Sequence, residues 1–217
     1  MGRPGLAAVQ SGRCRRVGLL SKLQPGPDNL QFVKFITDFA DQAVVLPVAL
    51  TVCIGLLALG WRRGAVAWTL VVAATFAAVL ALKLVFLTCS PGQVHSPSGH
   101  VAAAVVVTGG LAALLLRRRG LALMLALGAA VAIGVSRLAL GLHSLPEVGV
   151  GAVVGLAGAW ALPRLAGHLP PGLDARRLVV IAAAVAVLFH GLHLPAEARI
   201  LRLARVLAVC QPVEARL

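Results

Sequence analysis

Residues 89–100 read Cys89-Ser90-Pro91-Gly92-Gln93-Val94-His95-Ser96-Pro97-Ser98-Gly99-His100. The stretch is polar and rich in Pro and Gly, and a long apolar run stands on each side of it. Its backbone N–H and C=O groups would go unpaired in lipid, so it must line a wet pocket or lie at a membrane surface. A second polar interruption, Ser136 to Glu147, breaks the apolar pattern further on. The two interruptions are expected to face each other and form one polar site.

Working outward, the composition sets the class. The chain has 217 residues, 59% of them hydrophobic and only 12% charged, where soluble domains carry about 25% charged residues. Mean hydropathy is +0.94, and apolar runs of about 20 residues recur, the length of a membrane span. The expected fold class is all-α: a polytopic transmembrane helical bundle of about six spans, with interfacial amphipathic helices near both termini. The net charge of +13 comes from 20 Lys+Arg against 7 Asp+Glu. The basic residues lie between the apolar runs and at the ends, which favours anionic lipid headgroups as partners over nucleic acid. Tyr is absent and aromatics make up 4% of the chain, so a base-stacking surface is not expected either. Cys14, Cys53, Cys89 and Cys210 match no zinc or redox spacing; Cys53 is expected to pack within a helix, and Cys89 reads as a small neutral residue.

The chain divides into a basic tail at 1–27, a helical membrane domain at 28–195 and an amphipathic basic tail at 196–217. Phe32, Phe35, Ile36 and Phe39 recur at helical spacing among Lys34, Asp38 and Asp41, predicting an amphipathic helix over 28–42. Spans are expected at about 43–60, 65–87, 99–116, 120–142, 146–163 and 178–195. The last is the weakest, because His190 and His193 fall near its end. The fifth carries Gly149, Gly151, Gly155 and Gly158, including a Gly-x-x-x-Gly pair that permits close helix packing. Arg199, Arg202 and Arg205 beside Ile200, Leu203 and Leu207 predict a C-terminal helix lying on anionic lipid. Arg62, Arg63, Arg117, Arg118, Arg119, Arg164, Arg176 and Arg177 all fall on one side of such a bundle. By the positive-inside rule that side is cytoplasmic. Both polar interruptions then face the extracytoplasmic side of what reads as a bacterial inner membrane.

Several residues carry chemistry. Lys83 stands in the last turns of the second span, an expensive place for an ammonium group unless it faces a cavity or snorkels. Arg137 stands near the end of the fourth, where it either serves a phosphate or caps the helix dipole. Pro97 suits a first helical turn, which aims N–H groups at the polar stretch and lets the Ser98 hydroxyl and the Gly99 N–H bind phosphate oxygens. His100 and His143 are able to divide nucleophile and proton-donor roles between them. Ser144-Leu145-Pro146-Glu147 reads as a capping box, so Glu147 either caps the next helix or orients His143. Ser136 reads as packing or support. His95 reads as a surface residue, and His168, His190 and His193 as interfacial ones.

The constellation resembles the type-2 phosphatidic acid phosphatase superfamily, which includes lipid phosphate phosphatases, prenyl diphosphate phosphatases and vanadium haloperoxidases. The resemblance spans roughly residues 28–162. It rests on Pro97-Ser98-Gly99-His100 and on Ser136-Arg137, five residues, His143, three residues and an acid. The family's first motif, Lys, six residues, Arg-Pro, is matched by Lys83 and Pro91, with Ser90 in place of the arginine. Its last motif ends in Asp, and here the residue is Glu147. The resemblance implies a metal-independent, cofactor-free hydrolysis of a lipid phosphate, whether phosphomonoester or diphosphate. His143 is then the nucleophile that becomes phosphohistidine, His100 the general acid and Glu147 the group orienting His143. Lys83, Ser98, Gly99 and Arg137 bind the phosphate. No metal ligands are implied. A lipid phosphotransferase and a noncatalytic lipid-phosphate binder or transporter are the rival expectations. Ser90 bears on the choice, because serine cannot replace a bidentate guanidinium contact.

Overall fold

The computed structural model describes residues 27–89, 96–116, 118–170, 172 and 174–207. The N-terminal tail up to residue 26, the segment 90–95 with Ser90 and His95, and residues 208–217 with Cys210 lie outside the described residues. The described chain is all-α. Its helices are α1 (Pro27–Asp38), α2 (Gln42–Ala58), α3 (Arg62–Cys89), α4 (Gly99–Leu115), α5 (Arg119–Ala139), α6 (Leu145–Ala166), α7 (Ala175–Phe189) and α8 (Ala196–Leu207).

The breaks between helices follow local chemistry. α1 stops at Asp38, and α2 starts after Asp41, whose side chain accepts from the Ala43 N–H at 2.8 Å and caps the new helix. Gly60, at φ 79°, takes the left-handed turn between α2 and α3. α4 opens at Gly99 with Ser98 as its N-cap, so Pro97 lies outside the first turn in which it was expected. α6 opens on the capping box at Ser144–Glu147 with proline in its first turn.

Four stretches are long and apolar enough to cross a membrane: Asn29–Ala58, Arg62–Leu87, Arg119–Ala139 and Leu145–Ala166. The six expected spans are thereby corrected to about four. Helix length accounts for the difference. α4 has 17 residues and α7 has 15, about 26 and 22 Å at 1.5 Å per residue, short of a hydrocarbon core of about 30 Å. The N-terminal amphipathic helix, meanwhile, joins the first apolar run, and the two form one 30-residue stretch broken only by the turn at 39–41.

α4 is the centre of the bundle. It packs against α6, α5, α3 and α2, and residues 101–107 are all buried. A helix enclosed in this way touches protein rather than lipid, so its length is not set by the bilayer. Around it, Val52, Leu56, Trp68, Val106 and Leu162 form the larger of two apolar clusters. The buried Trp68 indole donates to the Ala49 carbonyl at 2.9 Å, which satisfies its one polar atom. Cys53 is half-buried against this cluster, with the Thr69 hydroxyl 3.2 Å from its sulfur. Outward faces of α2, α3, α5, α6 and α7 expose Leu50, Leu70, Met124, Val153 and Leu188, an apolar surface that suits lipid contact.

The α4–α6 contact sets the site. A Cβ on Gly151 would lie 2.5 Å from the Ser98 carbonyl oxygen, and one on Gly155 would lie 2.7 Å from the Ala102 carbonyl oxygen. Both obstacles are backbone atoms, so only glycine lets the two helices approach this closely. The Gly-x-x-x-Gly pair of the sequence therefore seats the start of α4 against the start of α6. At the far end of the bundle, Arg63 Nε donates to the Leu165 carbonyl at 2.9 Å, joining the start of α3 to the end of α6. The two helices run antiparallel. Arg63 and Arg164 mark one end, Lys83 and Glu147 the other.

Candidate active site

The end marked by Lys83 and Glu147 gathers the sequence-derived candidates. His143 lies in the loop between α5 and α6, and its side chain is 6% exposed. Its Nδ1 is 3.0 Å from Glu147 Oε2. With the carboxylate ionised, Nδ1 carries the proton and donates it, which fixes the tautomer and presents the Nε2 lone pair for chemistry. Glu147 sits one helical turn further on and does more than orient. Its Oε2 also accepts from the Ser144 N–H at 2.8 Å, and its Oε1 accepts from the Ser96 N–H at 2.7 Å. Capping and histidine contact, alternatives in the sequence, coexist on one carboxylate.

The two polar interruptions meet through these bonds. The Ser98 N–H donates to the Glu147 carbonyl at 3.0 Å, beside the Ser96 bond to its side chain. Ser98 is fully buried, and its hydroxyl oxygen has no hydrogen-bond partner among the described residues. A buried hydroxyl in that state is costly unless a ligand supplies the partner. Its backbone N–H is committed to the Glu147 carbonyl, so the hydroxyl is the polar group of Ser98 that the described residues leave unsatisfied.

Two cations act on His143. Arg137 is held in the last turn of α5 at 8% exposure, and Lys83 near the end of α3 at 3%. Burial holds the His143 imidazole below its ordinary value, and the positive charges of Arg137 and Lys83 push it the same way; the Glu147 carboxylate pulls against them. The imidazole is therefore neutral at neutral pH, the state in which it is a nucleophile. The sign for stability follows. The native state resists a proton that the unfolded chain accepts near pH 6.5, so this contribution is full above about pH 6.5. It is lost as pH falls through the lowered native value. Acidification below about pH 6.5 is expected to reduce the melting temperature in detergent, and His143→Gln is expected to flatten that decline. An equally steep decline in the variant would contradict it.

A second group surrounds His100, in the first turn of α4. Lys83, Gly99 and His100 line a cavity of about 410 Å³ together with Asp41, Arg199 and a wall that includes Leu46, Phe76, Leu80 and Ile200. The Lys83 stem runs beside Gly99, where a Cβ would meet Lys83 Cε at 3.9 Å. Lys83 thus belongs to both groups: it lines the cavity with His100, and its charge reaches His143. Arg137, His143 and Glu147 are not among the cavity-lining residues.

The sequence reading missed Asp41 as a site residue. His100 Nε2 is 3.8 Å from Asp41 Oδ2. In the sequence Asp41 falls within the amphipathic helix expected over 28–42, as one of its polar residues, and nothing there marks it for the site. Arg199 was read as a lipid-surface residue and also lines the cavity. Ser136 donates to the Ile133 carbonyl at 2.7 Å and serves the helix rather than the site. His190 Nε2 is 2.9 Å from the Phe35 carbonyl oxygen, with its ring against Phe35 and Phe39, and His193 Nε2 is 3.5 Å from Asp38; both tie the chain after α7 to α1. His168 is exposed. Among the described residues, no three His, Cys, Asp or Glu side chains gather as a metal centre requires.

Residues 86–169 match the family model described as the PAP2 superfamily. The match takes in Ser98, Gly99, His100, Arg137, His143 and Glu147, and begins three residues after Lys83. No curated protein and no solved structure matches the chain.

Proposed function

We propose, with the PAP2 superfamily domain at residues 86–169 as the premise, that this protein is an integral membrane lipid phosphate phosphatase working through a phosphohistidine. The observation that carries the reading is the buried His143–Glu147 pair at 3.0 Å under the positive charges of Arg137 and Lys83. Burial and two cations keep the imidazole uncharged while attracting a phosphate dianion, the combination that nucleophilic attack on phosphorus needs.

The steps follow from the groups present. Lys83, Arg137 and the Ser98 hydroxyl hold the phosphoryl oxygens, with the Gly99 N–H at the start of α4 adding a partial positive charge. His143 Nε2 attacks phosphorus as the bond to the leaving alkoxide breaks, and His100 gives that oxygen its proton. Glu147 stabilises the cationic phosphohistidine through Nδ1–H. Water then attacks phosphorus and returns a proton to His100, which releases phosphate and restores both rings. The apolar wall of the cavity receives the lipid chain. Arg199, beside Lys83 on that cavity, supplies the cation that Ser90 lacks. The Arg63 and Arg164 end of the bundle is cytoplasmic by the positive-inside rule, which puts the site on the extracytoplasmic side.

The test uses purified protein in detergent with excess chelator and a panel of phosphatidic acid, phosphatidylglycerophosphate and undecaprenyl diphosphate. Release of inorganic phosphate from at least one, with no acceptor lipid added, is the expected result. Transfer that requires an acceptor lipid would make the protein a phosphotransferase, and retention of lipid without release would make it a binder; either result overturns the reading.

A further inference from the structure

Asp41 spreads two jobs over its two carboxylate oxygens. Oδ1 accepts from the Ala43 N–H at 2.8 Å to cap α2, and from the Leu194 N–H at 3.3 Å to hold the chain after α7. Oδ2 faces His100 Nε2 at 3.8 Å, ion-pair distance rather than hydrogen-bond distance. Both side chains are largely withdrawn from solvent, at 13% and 17% exposure, so water screens the pair little. Asp41 lies 45 residues before the matched family domain begins at residue 86.

We propose that Asp41 is the positioning residue of His100, so that the site holds two histidine–carboxylate pairs, one for each imidazole. The inference rests on the reading of His100 as the proton donor. With Nε2–H directed at Asp41, Nδ1 is the nitrogen that hands its proton to the leaving alkoxide, and the ring is left neutral with Nε2–H in place. A proton donor must be charged before the step, and the groups around His100 disagree about that. Lys83 on α3 and Arg199 on α8 line the same cavity and disfavour a third positive charge. Asp41, from the α1–α2 turn, is the acid among the cavity-lining residues, and its charge favours the imidazolium. The two rings differ in what surrounds their carboxylates. His143 is held neutral by burial despite Glu147 at 3.0 Å, whereas His100 faces Asp41 from the wall of a cavity, and a nucleophile and an acid need opposite protonation states at one pH.

Asparagine separates the electrostatic role from the structural one. It caps helices as well as aspartate, so Asp41→Asn keeps the Oδ1 bonds to Ala43 and Leu194 and removes only the negative charge facing His100. Asp41→Ser, also a good cap, is the second variant. Ring-labelled histidine NMR on the full chain in detergent, with His100→Gln for assignment, reads the titration directly. His100 is expected to lose its proton at lower pH in both variants than in the parent protein. Hydrolysis of phosphatidic acid, whose alkoxide must be protonated, is expected to fall about 10- to 100-fold. Hydrolysis of p-nitrophenyl phosphate, whose leaving group needs no proton, is expected to change less than about threefold. An unchanged His100 titration, or equal losses on both substrates, overturns the proposal. If the parent protein hydrolyses neither substrate, the phosphatase reading fails, and the NMR titration still decides whether Asp41 governs His100.

Discussion

Replacing His143 with alanine is expected to lower phosphate release by about 10⁴-fold or more, because no other group on the path replaces the nitrogen that bonds to phosphorus. The loss should appear in kcat, with substrate binding largely kept, since Lys83, Arg137 and the Ser98 hydroxyl remain. The fold should survive. Glu147 keeps its bonds from the Ser96 and Ser144 N–H groups when the imidazole is gone, so no buried acceptor is stranded. A quenched turnover with labelled lipid phosphate gives the sharper reading: the parent protein should retain acid-labile phosphate on nitrogen, and His143→Ala should retain none. A variant with activity within about tenfold of the parent would remove the phosphohistidine from the mechanism, because nucleophile loss is never that mild.

Replacing Glu147 is expected to cost both activity and stability, and the choice of replacement separates the two. Glu147→Ala leaves the Ser96 N–H, the Ser144 N–H and His143 Nδ1 without their acceptor. All three bonds are only part-buried, so each orphaned donor costs less than the roughly 1–3 kcal/mol of a fully buried one, and the variant should melt below the parent. Glu147→Gln keeps one accepting oxygen. It can serve Ser96 or the Ser144–His143 side, but not both, and it carries no charge to support the phosphohistidine. Its melting temperature should lie between those of Glu147→Ala and the parent, while its activity falls about 10² to 10⁴-fold, as when a triad loses its carboxylate. Equal activity losses scaling with stability in both variants would reduce Glu147 to a helix cap. Thermal denaturation and steady-state kinetics on the same preparations decide the matter.

Why one residue carries so much follows from where it sits. Glu147 is at once the third residue of α6, four residues after His143, and the point to which the chain entering α4 is bonded. The Gly151 and Gly155 contacts bring that chain to within backbone distance of α6. A bulkier residue at Gly151 would therefore act on Ser98 and on the start of α4, although it touches no substrate.

The local features of this protein were legible in its sequence. The start of α4 at Gly99, the capping box at Ser144–Glu147, the position of Arg137 in the last turn of α5 and the close-packing glycines of α6 all depend on neighbours within a turn or two. The matched stretch at 86–169 contains the motifs at 97–100 and 136–147 but not Lys83. The tertiary structure alone decided the rest. The number of membrane-crossing stretches fell to about four because hydropathy measures apolar length along the chain and does not register where the helices end, and α4 and α7 stop at 17 and 15 residues. The facing of Asp41 and His100, 59 residues apart, and the arrival of Arg199 at the cavity of Lys83 depend on how α2, α3, α4 and α8 pack. No periodicity or spacing encodes such a meeting. It is set by the sum of many apolar contacts between distant helices, each too weak and too unspecific to be read from the residues that make it.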